Sequence, residues 1–117
     1  MWWRDQVVAM LDQRKWPIDW IESEIASGSI ALLENETAVI GVEKRVYPGG
    51  YTELHGVFAV GEMADILLLI DSAVEAAKVR GFDGASISSK PAWGRILKSR
   101  GFVPYQLNIA KELGDGD

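Results

Sequence analysis

The chain has 117 residues and no cysteine, which suits one domain and excludes both a disulfide framework and a thiolate metal site. Its formal net charge of −5 argues against general, charge-driven nucleic-acid binding, and a single histidine excludes a multi-histidine metal centre. The opening MWWRDQVVAMLDQRK mixes charge with apolar residues, unlike a secretory signal, and the longest strongly apolar run, 66–70, falls far short of a bilayer span. A soluble, cytoplasmic protein with no membrane partner is expected.

Residues 3 to about 15 read as a first helix, with Trp3, Val7, Met10, Leu11 and Arg14 on one side at helical spacing. Trp16-Pro17 breaks it, because a residue before proline is pushed out of the helical region. Pro17 then suits the start of a second helix with the stripe Ile18, Ile21 and Ile25, and Gly28 ends it. Strands are expected at 30–33 and 37–46, joined by the turn ENE at 34–36. After YPGG at 47–50, a third strand runs 51–60. It alternates poorly after Gly56, as a strand buried on both faces does. Gly56 marks a bulge or a close approach of another backbone.

Residues 63–80 form a long helix with the stripe Ile66, Leu69, Ile70, Ala73, Val74 and Ala77. Leu67 and Leu68 widen it, so it should pack on a sheet and be covered elsewhere too. Asp65 suits the N-cap and Gly81 the end. GASIS at 84–88 is a short strand, 91–100 a short helix ended by Gly101, and 103–110 a final strand before a frayed acidic tail. The order ααβββαβαβ contains one strand–helix–strand unit, which should be parallel, after strands whose short links make them antiparallel. The fold class is α/β (α+β) with a mixed sheet, in one domain over 1–117: a helical part at 1–28, the sheet and long helix at 29–112, and the tail at 113–117.

Trp16, Trp20 and Trp93 are expected to pack helices on the sheet, whereas Trp2 and Trp3 suit core packing or a protein-binding surface equally. Lys90, Arg95, Lys98 and Arg100 read as a solvated helix face. No nucleophile elbow, Walker loop or dinucleotide fingerprint is present.

Two stretches in sequence order carry a resemblance. GVFAV runs into ADILLLIDSAVEAAKVRG, and KPAWGRILKSRGFVPYQLNIAKEL places Gly101-Phe102 between a short helix and a last strand. Over residues 30–112 this resembles the GNAT N-acetyltransferase superfamily, and it is also like small, divergent acetyltransferase-like proteins of bacteriophages and prophages. The resemblance implies acetyl-CoA as cofactor. Its pantetheine would pair with the backbone of Val57, Phe58, Ala59 and Val60, and the turn carrying Gly61 and Ala64 would approach the pyrophosphate. The family's turn is Arg/Gln-x-x-Gly-x-Gly/Ala. Here it is Gly61-Glu62-Met63-Ala64-Asp65, which sets two carboxylates where phosphates favour N–H groups and positive charge.

Acetyl transfer to an amine needs a base and an acid. The resemblance implies Glu53 as a base acting through water. His55 shares its face by the strand period and titrates in the useful range. The family's acidic tyrosine falls on Leu97 and its asparagine on Lys90, leaving Tyr105 as the nearest replacement. The expectation is therefore a GNAT-fold protein with a degenerate acetyl-CoA site. If active, it moves acetyl to an amine by direct attack in a ternary complex. The alternative is an inactive binding or accessory protein, phage-related, with a protein partner. A third expectation is an oligomer joined through the tryptophan-rich N-terminal helices. No metal is expected.

Overall fold

The computed structural model describes residues 2–114. Its sheet is built from short links. β1 (Ile30–Glu34) and β2 (Ala38–Val46) are antiparallel. Asn35 closes the turn between them, its side-chain oxygen accepting from the Thr37 and Ala38 amides at 3.2 and 2.9 Å. β3 (Thr52–Gly61) returns antiparallel to β2 after a turn in which Gly50 N–H donates to Tyr47 C=O at 2.8 Å. β4 (Gly84–Ile87) lies parallel to β3 at the sheet's edge, in the order β1-β2-β3-β4. The Asp83 carboxylate fixes that register, accepting from the Thr52 amide at 2.8 Å while Asp83 N–H donates to Thr52 C=O at 2.9 Å.

Helices cover both faces. α3 (Met63–Val79) joins β3 to β4 and packs Ile66, Leu69, Ile70 and Ala73 on Ala38, Ile40 and Val42 of β2. The opposite face takes α1 (Arg4–Met10) and α2 (Ile18–Ser27), with Trp3, Val7 and Ile21 against Ile30, Val39, Phe58 and Val60. α4 (Trp93–Leu97) and one 3-10 turn (Lys98–Arg100) follow β4, and Leu97 is buried on the α3 side. The mixed sheet and the parallel strand–helix–strand unit agree with the sequence reading. Among the described residues no helix is long and apolar enough to cross a membrane.

Five expectations need correction. The first helix stops at Met10, because side chains capture the backbone beyond it. Asp12 accepts from the Arg14 amide at 3.0 Å, and the Gln13 amide group donates to the carbonyls of Val8 and Leu11. Met10 thereby leaves the buried stripe. Trp16 and Trp20 are exposed and lean on each other at 5.6 Å, since α2 turns Ile21 inward instead. Asp65 is not the N-cap. Glu62 holds that position with no side-chain bond, and the Asp65 carboxylate accepts from the Thr37 hydroxyl. Leu68 is exposed, so it does not widen the buried surface of α3, although Leu97 and Phe102 beyond the sheet pack in the same cluster. Among the described residues, 103–110 form no strand and the outer edge of β4 is left unpaired. Of the acidic tail, residues 115–117 lie outside the described residues.

Candidate functional site

The site begins with a mismatch between β2 and β3. Gly41 pairs with Phe58 but Val42 pairs with Gly56, so Val57 is one residue too many and bulges. The bulge lies next to Gly56, so of the two readings of that glycine, a bulge or a close backbone approach, the first applies. Parallel pairing with β4 ends at the same point, the last pair being Gly56 with Ile87. Beyond it Phe58, Ala59 and Val60 keep their ladder to β2, and from Val57 onward the other edge of β3 is unpaired. A twisted strand bent by a bulge diverges from a straight neighbour, and the gap becomes a cleft.

That cleft has a volume of about 380 Å³, within the range of small-molecule sites. Val57, Phe58 and Ala59 form one wall and Ser86, Ile87 and Ser88 the other. Ile70, Ala73 and Val74 of α3 lie behind, and Met10 and Leu11 flank the α1 side. The lining is mostly apolar. Its polar groups gather on the β4 side, where Lys90 is the only charged lining residue among the described residues. The Phe58 wall is held from below. Its ring stacks on buried Trp3 at 5.8 Å and lies over Gly41, where a Cβ would fall 2.3 Å from the ring.

Glu53 and His55 do share a face, and β4 joins them. Ser86 stands opposite His55 in the parallel register. Its hydroxyl donates to Glu53 Oε1 at 2.6 Å, and its oxygen lies 2.8 Å from His55 Nδ1. With the hydroxyl hydrogen committed to the carboxylate, Nδ1 must be the donor to Ser86 Oγ. Nε2 is then the acceptor, and the Ser88 hydroxyl, 3.3 Å away, points to it from the cleft wall. Tyr47 O–H completes the chain with a 2.9 Å bond to Glu53 Oε1. The order is Ser88, His55, Ser86, Glu53, Tyr47.

The electrostatics follow from this chain. His55 is buried, and desolvation of its cation, aided by nearby Arg45, pushes its pKa below the usual histidine range against the pull of Glu43 and Glu53. The imidazole is therefore neutral at neutral pH, with its Nε2 lone pair toward Ser88. For Glu53, burial raises the pKa. The hydrogen bonds from Ser86 and Tyr47, with the charges of His55 and Arg45, outweigh burial and hold it below the usual carboxylate range. A carboxylate so stabilised is a weak base, and a neutral histidine is a better one. Serine was the residue missed from sequence. Its signal was Ser86 and Ser88 at period two on a strand read as parallel to the one carrying His55.

The other candidates disperse. Gly61 has a φ of +120°, and a Cβ there would fall 2.1 Å from Thr37 C=O, so packing against β2 accounts for the glycine. Ala64 lies in the exposed first turn of α3 between Glu62 and Asp65. No basic side chain stands in this turn. Tyr105 is 89% exposed and outside the cleft lining. Arg100 pairs with Asp71 at 2.9 Å, and Arg95 and Lys98 are exposed, as a solvated face would be.

No family model and no curated protein matches the sequence. Solved structures do match. A putative acetyl transferase from Pyrococcus furiosus aligns with TM-score 0.71 and 13% identity over 95% of this chain and 89% of its own. A predicted acetyltransferase with acetyl-CoA from Clostridium acetobutylicum aligns with TM-score 0.62 and 14% identity, covering 95% and 84%. Glucosamine-6-phosphate N-acetyltransferase from Arabidopsis thaliana aligns with TM-score 0.62 and 13% identity, covering 84% and 78%. At these identities the likeness is one of architecture: the chain has the fold of the GNAT acetyltransferases.

Proposed function

We propose that the cleft holds the pantetheine arm of acetyl-CoA along the free edge of β3 and that the chain transfers acetyl to an amine, with His55 as the general base. One observation carries this reading: the unpaired backbone of Val57 to Ala59 opens on an apolar cleft whose opposite wall leads, through Ser88, to a neutral imidazole. The backbone N–H and C=O groups of that edge suit an amide-bearing, extended ligand, as an added strand would. Acetyl-CoA would supply an acetyl group activated as a thioester. His55 Nε2 takes the amine's proton by way of the Ser88 hydroxyl. Ser86 and Glu53 hold the Nδ1 proton, fix the tautomer and stabilise the imidazolium that forms. Lys90, on the cleft lining, offers a cation to an anionic leaving group.

The fit is poorer at the phosphate end. Glu62 and Asp65 flank the turn, and Gly61 is taken up by the contact with Thr37. This favours a second reading: an accessory protein, of the phage type that the sequence resembles, that keeps the cleft without the reaction.

Turnover of acetyl-CoA over a panel of primary amines separates the two. The first reading predicts acetylated amine and a loss of about 10²-fold or more in kcat in His55→Gln. Saturable binding with no turnover on any amine supports the second reading.

A further inference from the structure

On the cleft wall, directly after β4, the hydroxyl of Ser88 reaches a base. Its oxygen lies 3.3 Å from His55 Nε2, which keeps a lone pair because the ring's proton on Nδ1 is held by Ser86. The hydroxyls on either side are spent elsewhere. Ser86 donates to Glu53 at 2.6 Å, and Ser89 donates to the Lys90 carbonyl at 3.2 Å. Ser88 is exposed and lines the cleft, whereas the imidazole behind it is buried. A hydroxyl open to a ligand, a neutral imidazole behind it and a carboxylate that orients the imidazole are the parts of an activated serine nucleophile. Here the carboxylate acts through an interposed hydroxyl, Ser86. The constellation is recognised by geometry and roles, so the lack of an elbow motif does not count against it.

We infer that Ser88 is itself an acyl acceptor: without an amine, the chain hydrolyses short-chain thioesters and activated esters through an acyl-Ser88 intermediate. The inference rests on the cleft and base of the proposed transfer, and adds a covalent bond that direct attack by an amine lacks. Ser88 Oγ attacks the carbonyl carbon while its proton passes to His55 Nε2. The C–S bond breaks, and the leaving sulfur takes that proton and departs as a thiol. Water then attacks the acyl-serine ester and gives a proton to Nε2. The imidazolium returns a proton to Ser88 Oγ as the serine C–O bond breaks and the carboxylic acid leaves. Thioester and water thus become thiol and carboxylic acid, with Ser88 and His55 restored. Glu53, reached through Ser86, stabilises the imidazolium in both halves. The tetrahedral oxygen has donors to hand in the backbone N–H groups of the unpaired β3 edge and in Lys90 on the lining. The apolar lining suits a short acyl chain.

Two probes test it on the full chain, with neither amine nor acetyl-CoA present: p-nitrophenyl acetate for turnover and a fluorophosphonate ester for trapping. The phosphonate adduct resists water, so it accumulates even where an acetyl-serine would turn over. Peptide fragmentation is expected to place the adduct on Ser88. Nitrophenolate release is expected to fall by about 10²-fold or more in Ser88→Ala and in His55→Gln. Ser88 is exposed, so Ser88→Ala should keep its circular dichroism spectrum. No adduct, an adduct on Ser89 or Lys90 instead, or ester turnover that survives Ser88→Ala overturns the inference. Acetyl-CoA with an amine then separates the two reactions. Amine acetylated by a chain that takes no label keeps the transfer and overturns the nucleophile. A labelled Ser88 with no amine acetylated keeps the nucleophile and overturns the transfer.

Discussion

Below its bulge, β3 is paired on both edges and sets Glu53 and His55 against the serine of β4; above it, β3 is paired on one edge and its side chains are Val57, Phe58, Ala59 and Val60. The lower half can bury a histidine because a neighbouring strand supplies partners for both ring nitrogens. The upper half has backbone groups with no partner, and they can persist only facing water or a ligand. Proton handling thus needs β4 to be present, and ligand binding needs it to be absent. The extra residue at Val57 lets a single strand do both within a few ångströms of chain.

Breaking the upper half should cost most. Trp3→Ala removes the ring beneath Phe58 from a site that is 2% exposed. It is expected to destabilise by about 3–5 kcal/mol in urea denaturation, with binding lost alongside. Gly41→Ala comes next. Its Cβ would displace the Phe58 ring, and about 1–3 kcal/mol is expected. The lower half should break by a different signature. Ser86→Ala leaves His55 Nδ1–H and Glu53 without their shared partner and should cost about 1–2 kcal/mol. Cofactor binding should persist while kcat falls, a split that a purely structural serine would not give.

The smallest effect sharpens the comparison through pH. The folded pKa of His55 lies below its unfolded value, so the unfolded chain binds the proton first and stability falls as the solution is acidified below roughly pH 6.5. Glu53 is also lowered, so its contribution is present above its unfolded value and is lost at lower pH, below roughly pH 4.3. Acid unfolding should therefore show two steps. His55→Gln should remove the upper one and leave the lower, as followed by stability curves at stepped pH.

Much of this frame was legible in the sequence because local chemistry decides it. Asn35 and the Tyr47–Gly50 turn set the antiparallel links, the long apolar helix required a sheet beneath it, and Gly56 flagged the break in β3. What escaped was non-local. Ile21 was read as part of the inward stripe, but nothing near Trp16 or Trp20 says that they stay in solvent. Asp65 has the composition of a cap and finds a better partner in Thr37, twenty-eight residues back. The apolar alternation at 103–110 read as a strand, but a strand needs a partner, and among the described residues the segment pairs with none. At the site, Glu53 and His55 were visible as a pair by period, while the serine that links them lies across a parallel register that only the fold defines.

The claim that the free edge of β3 is a ligand edge has a direct measurement: amide chemical shifts of labelled protein titrated with acetyl-CoA. The account predicts saturable shifts concentrated at Val57, Phe58, Ala59 and Val60, with Ser88 and Lys90 following across the cleft. A folded spectrum that does not move at millimolar acetyl-CoA would contradict it.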